Sequence, residues 1–146
     1  MPPIFTIGHS GHTPEHFTGL LEAHGIRVVA DVRRHPGSRR VPWTNSGQIQ
    51  GSLPVDYVHL PELGGRRGED QFRAYVDHMR SEEFAAGLER LLALDGPVAM
   101  MCAEAKWQSC HRRLVANGLV ARGIEVRHID AEGGAESHPS PEGRLF

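Results

Sequence analysis

Apolar and polar positions alternate between two periods along this chain. "IFTIG" (residues 4–8) is a short, mostly apolar run closed by glycine, which predicts a first strand. Thr13-Pro14 supplies an N-cap followed by proline at the first helical position. Phe17, Leu20, Leu21 and His24 then recur at helical spacing, and Gly25 supplies the stop. "RVVADV" (27–32) is a second strand, and strand–helix–strand in so few residues implies a crossover between parallel strands. Residues 33–54 show no period and predict a long loop, a length often associated with function in a compact domain. "VDYVHL" (55–60) is a third strand, followed by the loop "PELGGRRGED". Phe72, Tyr75, Val76 and Met79 mark a second helix. Ser81 caps a third, with Phe84, Leu88, Leu91 and Leu92 inward and "DGP" (95–97) as its end. "PVAMMC" (97–102) reads as a buried strand. Ser109 is the expected cap of a helix running to about Arg122, and "EVRHI" (125–129) is the expected last strand.

This alternation predicts one compact α/β domain over residues 1–130: a mostly parallel central sheet of about five strands, flanked by helices in a Rossmann-like three-layer arrangement. Residues 131–146 have the composition of a flexible tail. The chain has 146 residues, enough for one real core, and shows no repeat. No long apolar run predicts a membrane span, and "MPPIFTIGHS" has neither the basic start nor the apolar stretch of a signal peptide. The expected compartment is therefore the cytoplasm. A formal charge of −2 excludes a polycation, so any nucleic-acid contact must be local. Two cysteines cannot form a disulfide framework, and in a reducing compartment both are expected as thiols. Ten histidines do not by their number show metal binding.

In open parallel sheets, ligands bind beyond the carboxyl ends of the strands. After the first strand come His9, Ser10 and His12; after the second, Asp31, Arg33, Arg34 and His35. His59, Glu62, Gly64, Gly65 and Arg66 follow the third. Cys102, Glu104, Lys106 and Trp107 follow the fourth, and His128 ends the fifth. Reactive groups at every carboxyl end predict a single shared site along one rim. Polar loops occur in any protein, so each residue taken singly can equally be surface or structure.

The densest part is "VAMMCAEAKWQSCHRRLVANGL" (98–119). A helix start presents free N–H groups and partial positive charge, so His111, Arg112 and Arg113 there are opposed by the dipole. A bound anion resolves the conflict; pairing with Glu104 or Asp31 is the plainer alternative. Cys102 is either a small buried hydrophobe or a nucleophilic thiolate beside arginines and helix amides. A phosphatase-type loop needs arginine six residues later, where Gln108 stands. Cys110 suits core packing; with His111, Cys102, Glu104 and His9 it could instead bind metal, although Cys-x7-Cys-His matches no standard zinc spacing. Trp107 can stack on a base or cover the core edge. "DVRRHPGSRR" holds four arginines and a histidine in ten residues, and "GGRR" (64–67) adds two more. Arginine forks suit phosphate and carboxylate; a solvated basic loop is the alternative.

"TIGHS", "DVRRHPGSRR", "YVHLPELGG" and "MCAEAKWQSCHR", in this order over Ile4 to about Ile129, resemble the family named domain of unknown function 488. The resemblance implies a compact α/β domain of bacterial or archaeal style and no settled activity or cofactor. It also implies that the motif residues share a pocket: Gly8, His9 and Ser10; Asp31, Arg33, Pro36 and Ser38; His59, Leu63 and Gly64; and Cys102, Glu104, Cys110, His111 and Arg112. Where the family pattern often continues to phenylalanine, Val41, Pro42 and Trp43 stand here.

Three functions follow. The first is an enzyme, a hydrolase or transferase, on a phosphorylated or nucleotide-like substrate. His9, His59, Cys102 and Glu104 would do the chemistry, and Ser10, Asp31, Arg33, Ser38, Gly64, Trp107, Cys110, His111 and Arg112 would hold the ligand. The second is a non-catalytic module binding nucleotides or nucleic acid, with Trp43 or Trp107 stacking. The third is a metal-binding or thiol redox domain using Cys102, Cys110 and His111. The expected partner is a small anion, with nucleic acid the alternative; monomer and homodimer both fit.

Overall fold

The computed structural model describes residues 2–34, 42–65 and 71–139. Its centre is a six-stranded sheet built from β1 (Ile4–Gly8), β2 (Val28–Asp31), β3 (Asp56–His59), β4 (Val98–Cys102), β5 (Val126–Ile129) and β6 (Ala135–Ser137), in the order β3-β2-β4-β1-β5-β6. The first five strands are parallel, and β6 is antiparallel to β5. The predicted three-layer α/β domain is therefore correct. β4 is buried at every position because it has a strand on each side and a helical layer on each face.

Strand side chains alternate between faces, and the core divides accordingly. On one face Phe5, Ile7, Val29, Ala99 and Met101 pack against α1 (Pro14–Ala23) through Phe17, Leu20 and Leu21, and against α2 (Ser46–Ser52) through Ile49. On the other, Ile4, Val28, Ala30, Val98, Met100 and Cys102 meet α3 (Gln71–His78), α4 (Glu82–Leu92) and α5 (Arg112–Ala121). The predicted caps form: the Thr13 and Ser81 hydroxyls accept from the N–H groups of His16 and Phe84.

Three expectations change. The predicted loop 33–54 contains a helical turn at Pro42–Thr44 and then α2. α2 reads "SGQIQGS", with Ile49 its one large apolar residue; a single buried anchor docks it, and no period could announce it. Ser109 does not cap α5. It closes a short turn over Trp107–Ser109, Cys110 is extended (φ −124°, ψ 155°), and the helix starts at Arg112. "EVRHI" is not the last strand, because β6 forms inside the segment read as a flexible tail. His138 explains why: its ring bonds His128 and Asn117, tying the segment to β5 and α5. Residues 140–146 lie outside the described residues.

Candidate functional site at the carboxyl rim

β1 and β2 lead to helices on one face, whereas β4 leads to α5 on the other, so the chain changes direction around β4 at the carboxyl edge. That edge is stitched shut by backbone. His9 N–H donates to Cys102 O at 3.0 Å, Ser10 N–H to Ala103 O at 2.9 Å, and Val32 N–H to Met101 O at 2.9 Å. Gly8 permits this approach: a Cβ there would lie 1.8 Å from the Glu104 carbonyl oxygen.

Around that seam the predicted residues gather into two groups, because odd and even strand positions face opposite ways. The first lies on the α1 side. Arg33 Nε and Nη2 grip the Asp31 carboxylate bidentately at 2.9 and 2.7 Å, and the Arg33 backbone N–H donates to the same carboxylate at 3.0 Å. Tyr57 donates its phenolic O–H to Asp31 Oδ2, and Arg33 Nη2 also reaches Thr44 O at 2.6 Å. Arg33 Nη1 donates to His9 Nε2 at 3.3 Å, and His59 Nε2 donates to Arg33 O at 2.7 Å. Arg33 is thus the hub for His9, Asp31 and His59. Trp43 packs edge-on to both His9 and Phe17. Burial opposes the Arg33 charge, but the Asp31 bonds outweigh it and hold the guanidinium firmly protonated. Burial and then the hydrogen bond to Asp31 push the Tyr57 hydroxyl well up. Burial, with Arg33 beside it, lowers His9 to about 4. A neutral His9 that accepts at Nε2 carries its proton on Nδ1. That buried atom has no hydrogen-bond partner among the described residues.

The second group lies on the α5 side. Cys102 at the end of β4 and Cys110 just before α5 have their sulfurs 2.9 Å apart. Cys110 Sγ is 3.4 Å from His111 Nδ1 and takes the Arg112 backbone N–H at 3.5 Å. The first amide of α5 therefore points at a sulfur of the chain itself. Arg112, expected to balance a bound anion, is 1% exposed. It donates to Glu104 O at 2.6 Å and to Thr6 Oγ1 at 3.2 Å. From Thr6 a one-way chain of donors continues: Thr6 to His128 Nδ1 at 2.6 Å, His128 to His138 at 2.8 Å, and His138 to Asn117 Oδ1 at 2.6 Å. Each neutral ring accepts once and donates once. Burial, then His138 and Arg112, lowers His128 to about 3.

The two groups meet through backbone: His111 Nε2 donates to Val32 O at 3.0 Å, between Asp31 and Arg33. Among the described residues, the remaining predicted ones contribute no side-chain hydrogen bond to either group. Glu104 and Ser10 are exposed; Glu104 serves the second group through its carbonyl alone. Trp107 stacks on His128 at 4.3 Å and donates to Glu136, so it covers the core edge. Gly64 faces the Arg34 backbone, where a Cβ would lie 2.6 Å from Cα. Ser38 and Pro36 fall outside the described residues, as do Arg39, Arg40, Arg66 and Arg67. Among the described residues no three His, Cys, Asp or Glu side chains are arranged to hold a metal ion, and no helix is long and apolar enough to cross a membrane. Sequence reasoning missed Tyr57 and Thr6. The signal for Tyr57 was present, because on β3 it shares a face with His59, two residues on.

Residues 13–119, most of the chain, match the family model described as domain of unknown function DUF488. The chain belongs to the DUF488 family. The matched span holds both cysteines, Asp31, Arg33 and His59; the "TIGHS" strand with His9 precedes it. No curated protein and no solved structure matches this DUF488 chain.

Proposed function

We propose that this DUF488 chain is a cytoplasmic enzyme that acts on a small phosphorylated or nucleotide-like anion at the His9–Arg33–His59 end of the rim. One observation carries the reading: the buried His9 Nδ1–H, aligned by Arg33, has no acceptor among the described residues. An unsatisfied buried donor costs about 1–3 kcal/mol, a cost that a ligand oxygen would remove. A neutral imidazole held as a donor can polarise a carbonyl or phosphoryl oxygen, as neutral histidines do at other catalytic centres. His59 is its complement. Its Nε2–H is committed to Arg33 O, so in the neutral ring Nδ1 holds the free electron pair and can take a proton. Arg33 is a positioning residue, because its charge is already answered by Asp31. The preference for an anion rests on exposed Arg34 and on the arginine-rich sequence of the loops after β2 and β3.

The test is a thermal-shift screen with inorganic phosphate, nucleoside monophosphates and sugar phosphates, followed by calorimetry of the strongest hit on wild type and His9→Ala. A ligand at a hundredfold its Kd stabilises by about 2.7 kcal/mol, a clear rise in Tm. Affinity should fall tenfold or more in His9→Ala. A screen without a hit, or equal affinities, overturns the proposal. Binding confined to single-stranded nucleic acid and weakening steeply with salt would replace the enzyme with a nucleic-acid module.

A further inference from the structure

The sulfur pair on the opposite face lies outside the proposed acid–base chemistry. Cys102 Sγ and Cys110 Sγ are 2.9 Å apart, within about 1 Å of the disulfide bond length of about 2.05 Å. The two residues have different mechanical settings. Cys102 is fixed in the central strand, registered opposite Gly8 of β1. Cys110 follows the turn at Trp107–Ser109 and precedes a helix whose N-cap, His111, makes no side-chain cap. One sulfur is therefore anchored, and the other sits on a segment that can follow it.

Their electrostatics differ as well. Cys110 Sγ lies within hydrogen-bond reach of the Cys102 thiol, faces His111 Nδ1, receives the Arg112 amide and lies near the buried Arg112 guanidinium. The hydrogen bond from Cys102 does most to lower the Cys110 pKa; burial opposes it, and His111 and Arg112 reinforce it. Burial and the bond to Cys110 push Cys102 up. The guanidinium's acceptors among the described residues are carbonyls and a hydroxyl, so a Cys110 thiolate supplies charge that a buried arginine otherwise lacks.

We propose that Cys102 and Cys110 form a reversible dithiol–disulfide couple, oxidised by a hydroperoxide through Cys110 and closed by Cys102. The Cys110 thiolate attacks one oxygen of hydrogen peroxide. The S–O bond forms, the O–O bond breaks, and hydroxide leaves and takes a proton from solvent. Cys110 is then a sulfenic acid. Cys102 gives up its proton and attacks the Cys110 sulfur. The S–S bond forms, the S–O bond breaks, and the departing hydroxide leaves as water with that proton. Two sulfurs lose two electrons in all, and one peroxide becomes two waters. A dithiol reductant restores the pair by thiol–disulfide exchange. Both cysteines are buried, at 2% and 3% exposure, which selects a small oxidant. The loop that joins the two cysteines is exposed at residues 103–106, 108 and 109, and its local opening would admit the oxidant. The couple stands whether or not the rim turns over a phosphorylated substrate.

The experiment treats reduced protein with hydrogen peroxide, quenches it, unfolds it in the presence of an alkylating agent and weighs it. Untreated protein should take two labels and treated protein none, as a monomer lighter by two hydrogens; dithiothreitol should restore both labels. Oxidation should slow less than about threefold from pH 8 to pH 6, whereas a thiol of ordinary pKa slows well over tenfold. In Cys102→Ser, dimedone should trap a sulfenic acid on Cys110; Cys110→Ser should react at least tenfold more slowly than wild type. Should either variant fail to fold, the wild-type label count and pH profile decide alone. Two labels retained under conditions that oxidise the urea-unfolded chain, or dimedone on Cys102, would overturn the proposal.

Discussion

His9 and His128 show how burial decides what a residue can do. Both rings take their proton near pH 6.5 in an unfolded chain, yet in the fold only near pH 4 and pH 3. Between those values the unfolded state binds more protons, so stability must fall as pH drops from 7 to 5 and return as it rises. Each such ring can contribute a slope of up to about 1.4 kcal/mol per pH unit in that window. Urea melts at pH 7 and pH 5 check this, and His128→Gln should have a shallower dependence than wild type. An unchanged slope would mean that the native ring accepts its proton as readily as the unfolded one. The presence of these histidines at strand ends could be read from the sequence, but their partners could not. Each depends on the long-range register of Thr6 with His128, or on Arg33 reaching from the end of β2 past β4 to His9 after β1.

At the scale of elements, legibility followed periodicity. α1 and α4 carry repeating apolar faces and capping hydroxyls, and both lie where expected. α2 carries neither: two of its seven residues are glycine, and the Asn45 side chain does not cap its first turn. Tertiary contact holds it, through Ile49 at 0% exposure among the residues of the α1-side core. β6 was hidden for a related reason, since a three-residue edge strand with no buried residue has no pattern to show. The dependence of α2 on one anchor makes it fragile. Ile49→Ala should cost about 2–5 kcal/mol in urea denaturation. The N–H groups of residues 49 and 53 should lose hydrogen-exchange protection before those of β4. Exchange that stays matched across α2 and β4 would show that the helix is held by more than this side chain.

The whole molecule is a sheet with a different polar network at the carboxyl end of each face. The carboxyl rim was legible from strand ends alone. Its division was not, because that needed the parity of each residue along its strand together with the helix on each side. Ile7 and His9 continue one face of β1; Thr6 continues the other. Among the described residues the Asp31–Arg33–Tyr57 cluster and the Arg112–Thr6–His128 chain share no side-chain hydrogen bond and communicate through the backbone at Cys102 and Val32. This separation predicts how substitutions combine. Tyr57→Phe removes a donor from Asp31, and Asp31→Asn removes the charge that both Tyr57 and Arg33 address, so the pair should deviate from additivity by about 1 kcal/mol or more. Tyr57→Phe combined with Thr6→Val spans the sheet, and their effects should add within about 0.5 kcal/mol. Urea denaturation of the single and double variants measures both cycles. Strong coupling across the sheet would mean that the rim is one cooperative unit, as the strand ends alone suggest. Coupling on one face and additivity across would leave the protein with two sites that can evolve, bind and be oxidised separately.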